Sequence, residues 1–124
     1  MQTISTANAP KALGPYSQAV LAGANLYVSG QIAINPATGS LVQDTIEAET
    51  EQIMSNIEAI LTEARYGFMH IAKTTIFVTD IKYFDAINGI YAKYFKFDPP
   101  ARSFVQVAAL PKGARVEIEV MAVK

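Results

Sequence analysis

The segment from Asp98 to Val123 constrains this chain more than any other. It begins Asp98-Pro99-Pro100-Ala101-Arg102-Ser103-Phe104 and continues apolar to Leu110. Each proline fixes its own φ and pushes its predecessor out of the helical region, so the approach to Arg102 is extended and rigid. Pro111-Lys112-Gly113 then has turn chemistry. Beyond it Val116, Ile118 and Val120 alternate with Glu117, Glu119 and Met121, the period-two pattern of a strand with one apolar face. The two runs flanking the turn suggest a hairpin, which would place a guanidinium and a carboxylate in one sheet within reach of one pocket. Two readings fit. One is a structural ion pair of small energetic weight; the other is a site for a planar carboxylate ligand, which suits arginine's forked donors. These residues alone leave both open.

Composition narrows the function classes. At 124 residues the chain is long enough for one domain, 1–124, with a proper core. It is 51% hydrophobic and 17% charged, with a formal net charge of −1, so it lacks the excess positive charge that nucleic-acid binding requires. The absence of cysteine excludes disulfides, thiolate nucleophiles and zinc ribbons. His70 is the single histidine, so neither a histidine dyad nor a histidine-built metal site is available. Met1-Gln2-Thr3-Ile4-Ser5 lacks a basic region followed by an apolar one, and no apolar run is long enough to span a membrane. The chain reads as soluble and cytoplasmic.

The first third has strand character. Gly14-Pro15-Tyr16-Ser17-Gln18 leads into Ala19-Val20-Leu21-Ala22, a turn follows at Gly23-Ala24-Asn25, and Leu26 to Ile32 forms a second strand. Asn35-Pro36-Ala37-Thr38-Gly39 closes this part with turn residues. Gly14 and Gly30 mark places where the backbone bends or a ligand approaches, although no phosphate-loop spacing is present. Tyr16 is either a packed aromatic or a hydroxyl aimed at a pocket, and its local sequence favours packing.

Two helices follow. Asp44 with Glu47 predicts a capping box, and Ile53, Ile57, Ile60, Leu61 and Ala64 recur at helical spacing. Glu49, Gln52, Glu58 and Glu63 are expected on the outer side, and Gly67 as the stop. Lys73 to Thr79 is β-branched and strand-like, with His70 in a solvated connection before it. Asp80 is expected to cap a second helix with a buried stripe of Phe84, Ile87, Tyr91 and Tyr94 or Phe95, weakened by Gly89 at about 1 kcal/mol relative to alanine. Lys73, Lys82, Lys93 and Lys96 are scattered and read as solvated surface. The order implies an α+β fold, one mixed sheet with two helices on one face. Phe77, Met121 and Val123 would then lie on the uncovered face, and an apolar patch of that kind calls for self-association.

In order and spacing, several motifs together resemble the RidA (YjgF-type) family of reactive-intermediate deaminases, also labelled L-PSP endoribonucleases. They are Ala9-Pro10 through Gly14-Pro15-Tyr16-Ser17-Gln18-Ala19, Val28-Ser29-Gly30-Gln31, Asn35-Pro36 with Gly39, Pro100-Ala101-Arg102, and Leu110-Pro111-Lys112-Gly113 through Val116-Glu117-Ile118-Glu119. The resemblance implies a chorismate-mutase-like fold, assembled as a homotrimer with ligand clefts between subunits. It implies a 2-iminobutanoate/2-iminopropanoate deaminase, hydrolysing enamines and imines such as 2-aminoacrylate to 2-oxo acids and ammonia. Neither a metal nor an organic cofactor is implied.

Carried over by motif, Arg102 would clamp the substrate carboxylate, Tyr16 would offer its hydroxyl, Ser29 and the Gly30 backbone would hold the ligand, and Glu117 would position or activate water. The chain departs from the pattern at Phe104, where many deaminase members have cysteine after Arg-Ser; a phenylalanine there would reshape the pocket and its substrate range. Two other functions stand beside the deaminase. One is a non-catalytic regulatory protein that binds 2-oxo acids in the same cleft. The other is an endoribonuclease, disfavoured by the charge balance.

Overall fold

The computed structural model describes residues 1–124. Strands β1 (Gln2–Ile4), β2 (Ala19–Ala22) and β3 (Asn25–Gln31) precede helix α1 (Ile46–Glu63). Strand β4 (Ile71–Val78), helix α2 (Phe84–Tyr91), strand β5 (Ala101–Gln106) and strand β6 (Val116–Val123) complete the order. The six strands form one mixed sheet, β1-β2-β3-β6-β4-β5. Only β4 and β5 pair in parallel, as expected for strands joined through a helix.

The hairpin expected across Pro111-Lys112-Gly113 does not form. β6 pairs with β3 on one side and β4 on the other, so β4 separates β5 from β6. Residues 107–115 instead wrap the end of β4. Val107 N–H donates to the Val78 carbonyl (2.8 Å), and Thr79 N–H donates to the Arg115 carbonyl (3.0 Å). Turn chemistry is present at Lys112 (φ 58°) and Gly113 (φ 72°), but it reverses the chain over a neighbouring strand.

Alternation within the strands sets the two faces. Leu26, Val28, Ile76, Val78, Val116, Ile118 and Val120 are buried beneath the helices, against Ile53, Ile57, Ile60 and Leu61 of α1 and Ile87 of α2. The opposite face carries Tyr27, Phe77, Glu117, Glu119 and Met121, and Tyr27 is 48% exposed. Both helices therefore cover the same face, and the other stays partly apolar and open.

Several local expectations are corrected. The N-cap of α1 is Thr45, not Asp44; its hydroxyl accepts from Ala48 N–H. The helix ends through Arg65 rather than Gly67: Tyr66 N–H bonds the Leu61 carbonyl and Arg65 N–H the Thr62 carbonyl, with Arg65 at φ 64°. His70 is half-buried, its Nδ1 accepting from Gly67 N–H (2.9 Å). Phe84 is 41% exposed, so the buried stripe of α2 rests on Ile87 and Tyr91. The largest correction is Glu49, which is fully buried instead of solvated.

Glu49 bonds the guanidinium of Arg115 (Nε to Oε1, 2.8 Å) and the backbone N–H groups of Arg115 (2.8 Å) and Val116 (3.2 Å). Arg115 also donates to the Gln43 carbonyl (2.9 Å), tying the segment before α1 to the start of β6. Removing one partner of a buried, hydrogen-bonded ion pair strands the other and costs about 3–5 kcal/mol. Glu49→Ala is therefore expected to lower the unfolding free energy by about that amount in urea denaturation. A loss below about 1 kcal/mol, the scale of an exposed pair, contradicts this role.

Candidate active site

The loop before β2, the end of β3 and the start of β6 enclose a cleft of about 510 Å³. Lys11, Tyr16, Ser29, Gly30, Glu117 and Glu119 are among its lining residues. The loop is long and irregular, and Gln18 holds it in shape. Its buried side-chain amide donates to the carbonyls of Thr6 (3.1 Å), Ala9 (3.3 Å) and Pro10 (2.8 Å), and its oxygen accepts from Thr6 N–H (2.7 Å). One side chain thus replaces the backbone ladder that this segment lacks.

Tyr16 is half exposed, and its hydroxyl oxygen accepts from Leu13 N–H (3.0 Å), which pins the ring at the rim of the cleft. Ser29 donates its hydroxyl to the Ser17 carbonyl (2.6 Å), leaving oxygen lone pairs free to accept. The β3–β6 register shifts between Val28 and Gln31, a bulge spanning Ser29 and Gly30. Gly30 lies directly against Glu117, and a Cβ at position 30 would push the carboxylate aside. Glycine is what lets the carboxylate lie against the bulged backbone.

Glu117 is half-buried, and burial raises its carboxyl above the ordinary carboxylate range; the charge of Glu119 adds to the shift. A carboxyl so tuned is suited to taking and returning a proton nearer neutral pH. No three His, Asp or Glu side chains come together as metal ligands.

Arg102 and Phe104 lie elsewhere on the same chain. Arg102 pairs with Thr74 and Phe104 with Ile76, while Glu117 pairs with Phe77. Paired residues share a face and neighbours alternate, so Arg102 and Phe104 occupy the helix-covered side and Glu117 the open side. Arg102 Nη1 donates to Asn88 Oδ1 of α2 (2.8 Å). Its guanidinium carbon lies 4.9 Å from the Tyr91 ring centroid, 5.5 Å from that of Phe104 and 5.6 Å from that of Phe84. Tyr91 is fixed in turn by a 2.8 Å bond between its hydroxyl and that of Thr74. The chain therefore gathers Tyr16, Ser29, Gly30 and Glu117 at one cleft and presents Arg102 with Phe104 at the β5 edge.

Sequence reasoning missed Gln18 and Asn88. An asparagine beside Gly89 in mid-helix, where both residues weaken the helix, was the available signal for Asn88. Gln18 offered only its place in the Gly14-Pro15-Tyr16-Ser17-Gln18-Ala19 motif, since its partners are backbone groups of an irregular loop.

If Glu119 contributes repulsion as described, Glu119→Gln lowers the Glu117 pKa. Carboxyl-carbon NMR titration of the variant is expected to show Glu117 ionising at lower pH than in the parent protein. An unchanged or higher midpoint contradicts the electrostatic account.

The chain matches the family described as Endoribonuclease L-PSP over residues 6–124. A human protein named 2-iminobutanoate/2-iminopropanoate deaminase is 48% identical over 123 residues, covering 99% of this chain and 90% of that protein. Among solved structures, the Rid-family protein YyfA from Yersinia pestis superposes with a TM-score of 0.97 at 54% identity, covering 99% of this chain and 98% of that one. TdcF from E. coli, solved with bound serine, superposes with a TM-score of 0.96 at 38% identity over 100% of both chains. With the six-stranded mixed sheet, its two helices on one face and a near full-length match, the chain belongs to the RidA (YjgF-type) family of L-PSP proteins.

Proposed function

We propose that this protein is a 2-iminobutanoate/2-iminopropanoate deaminase, hydrolysing imines and their enamine tautomers, 2-aminoacrylate among them, to 2-oxo acids and ammonia. The observation that carries this reading is the Glu117 carboxyl, half-buried against Gly30 at a cleft that Tyr16 and Ser29 also line. The names of curated relatives at about half identity point the same way. So does the serine held by TdcF, which shares an α-carboxylate and an α-nitrogen with an imino acid.

In the proposed reaction Arg102 binds the substrate carboxylate. Asn88 occupies one guanidinium N–H and leaves the rest of the fork available. Water adds to the electrophilic imine carbon as Glu117 takes its proton, forming a carbinolamine. Glu117 passes that proton to the nitrogen to complete the neutral carbinolamine, then moves the hydroxyl proton to the nitrogen as the C=O bond forms, the C–N bond breaks and ammonia leaves a 2-oxo acid. Positioning and proton transfer are sufficient for a carbon already this electrophilic.

Arg102 and Glu117 lie on opposite faces of one sheet, so the proposed site needs the arginine of a neighbouring subunit. A homotrimer joined through the open face would supply it and would cover Tyr27, Met121 and Val105 at the same time. The endoribonuclease reading fits the cleft poorly, because this chain lines it with two carboxylates, Glu117 and Glu119, against one cation, Lys11, and a neighbour's arginine would bring the charges only to balance, which disfavours a polyphosphate backbone.

The test is 2-oxo acid release from imines freshly generated by an amino-acid oxidase, followed for the parent protein and for Arg102→Lys. The parent is expected to outpace spontaneous hydrolysis. The lysine variant keeps the charge but loses the planar fork, so its rate should fall by about an order of magnitude or more with melting temperature and assembly unchanged. Tight 2-oxo acid binding without any turnover would instead assign the chain as a binding protein. A folded variant with parental turnover would remove the carboxylate clamp.

A further inference from the structure

Glu119 shares the cleft with Glu117, and its carboxylate is left without an ion pair. Two residues apart on β6, both glutamates lie on the open face of the sheet and line the cleft of about 510 Å³. Alternate residues of a strand are separated by about 7 Å, so each carboxylate acts on a charge held beside the other. Their surroundings differ: Glu117 is half-buried against Gly30, whereas Glu119 is exposed. None of the three ion pairs in the chain includes Glu119. The charged and titratable groups that face it are Glu117 from its own strand, Lys73 from β4, Tyr27 from β3, and Lys11 and Tyr16 from the loop before β2.

A second carboxylate works against a ligand that is itself a carboxylate, unless the ligand also brings a positive charge. With the neighbour's arginine, the charged side chains of the cleft balance, two carboxylates against Lys11 and a guanidinium. An imino acid whose nitrogen is neutral would leave the filled site with a net negative charge. The same ligand with a protonated nitrogen is neutral overall, and the balance holds. We propose that Glu119 keeps the substrate nitrogen protonated, as an iminium, while Glu117 handles the water. The inference rests on the proposed deaminase site and assigns its second carboxylate, which acts through its charge and not as the proton carrier. An iminium carbon is a stronger electrophile than an imine carbon. Water adds to it, Glu117 takes the proton of the water, and the π pair of the C=N bond moves to nitrogen. The neutral carbinolamine forms directly, because the nitrogen already holds the proton that Glu117 would otherwise deliver. The half-buried carboxylate then serves proton transfer and the exposed one holds a charge, so one cleft divides two roles between like residues by their environments.

The experiment compares calorimetric binding of L-serine and pyruvate to the parent protein, Glu119→Gln and Glu119→Asp. Both ligands carry a carboxylate, and only serine carries a cationic nitrogen. Glu119→Gln is expected to weaken serine binding by about fivefold or more and to leave pyruvate unchanged or tighter. Glu119→Asp, which keeps the charge, should stay within about threefold of the parent for both. In turnover, the alkaline limb of kcat against pH should move to lower pH in Glu119→Gln, because the bound nitrogen gives up its proton more readily. A carboxylate that only tuned Glu117 would move the acid limb alone. Equal weakening of both ligands, serine binding that Glu119→Gln leaves unchanged, no serine binding by the parent, or an alkaline limb that stays in place overturns the inference. So does a Glu119→Gln chain that loses the parent's state of assembly, which would assign Glu119 to a contact between copies. The two readings fail separately. If no imine is hydrolysed, the deaminase reading falls, while a preference for serine that is lost in Glu119→Gln still supports the charge assigned to Glu119.

Discussion

The buried carboxylate of Glu49 organises this fold. It sits in the first turn of α1 and receives the Arg115 guanidinium together with the backbone N–H groups of Arg115 and Val116. Helix α1 and the sheet are thereby locked in one register at the point where β6 begins. Glu117 follows one residue after the last of those bonds, so the clamp also sets the height of its carboxylate beside Gly30. A buried ion pair is costly unless its remaining valences are filled. Here the second oxygen of Glu49 is occupied by backbone donors and the guanidinium by the Gln43 carbonyl. A structural device on the helix side thus determines the position of a chemical group on the other.

The site follows from the parity of strands. β5 enters the sheet beside β4, and β6 lies on β4's other flank, so the faces of Arg102 and Glu117 are fixed by where each strand falls in the pairing register. The outcome sends the guanidinium toward α2 and the carboxylate away from it. The open face that carries Glu117 also exposes Tyr27 and Val105. On the proposed reading, one packing event between copies would bury that apolar surface and bring the two halves of the site together, which would couple assembly to chemistry.

Much of the fold was legible because its signals are local. The alternation of Val116, Ile118 and Val120 with Glu117 and Glu119 gave β6 and both its faces, and Ile53, Ile57, Ile60 and Leu61 gave the buried stripe of α1. Non-local features were not legible. Glu49 looks like any solvated helix glutamate until Arg115, 66 residues away, is known to reach it. The expected hairpin failed because nothing between Gln106 and Val116 announces that another strand lies between the two runs. At the site, the family motifs named Arg102, Tyr16, Ser29, Gly30, Phe104 and Glu117 together; Tyr16, Ser29, Gly30 and Glu117 line one cleft, while Arg102 and Phe104 lie at the β5 edge. That Arg102 faces the opposite side could follow only from the observed strand order.

The central claim, a site divided between subunits, is tested most directly by complementation. Arg102→Ala and Glu117→Gln variants, each expected to be inactive alone, are mixed after dissociation and allowed to reassociate in equal amounts. If one chain supplies the arginine and its neighbour the carboxylate, random hybrids regain up to about a quarter of parental activity, because a heterologous interface rebuilds some intact sites. If both residues act from the same chain, no hybrid contains an intact site. Activity that stays at the level of the separate variants, in a mixture shown by mass spectrometry to contain hybrids, would contradict the account.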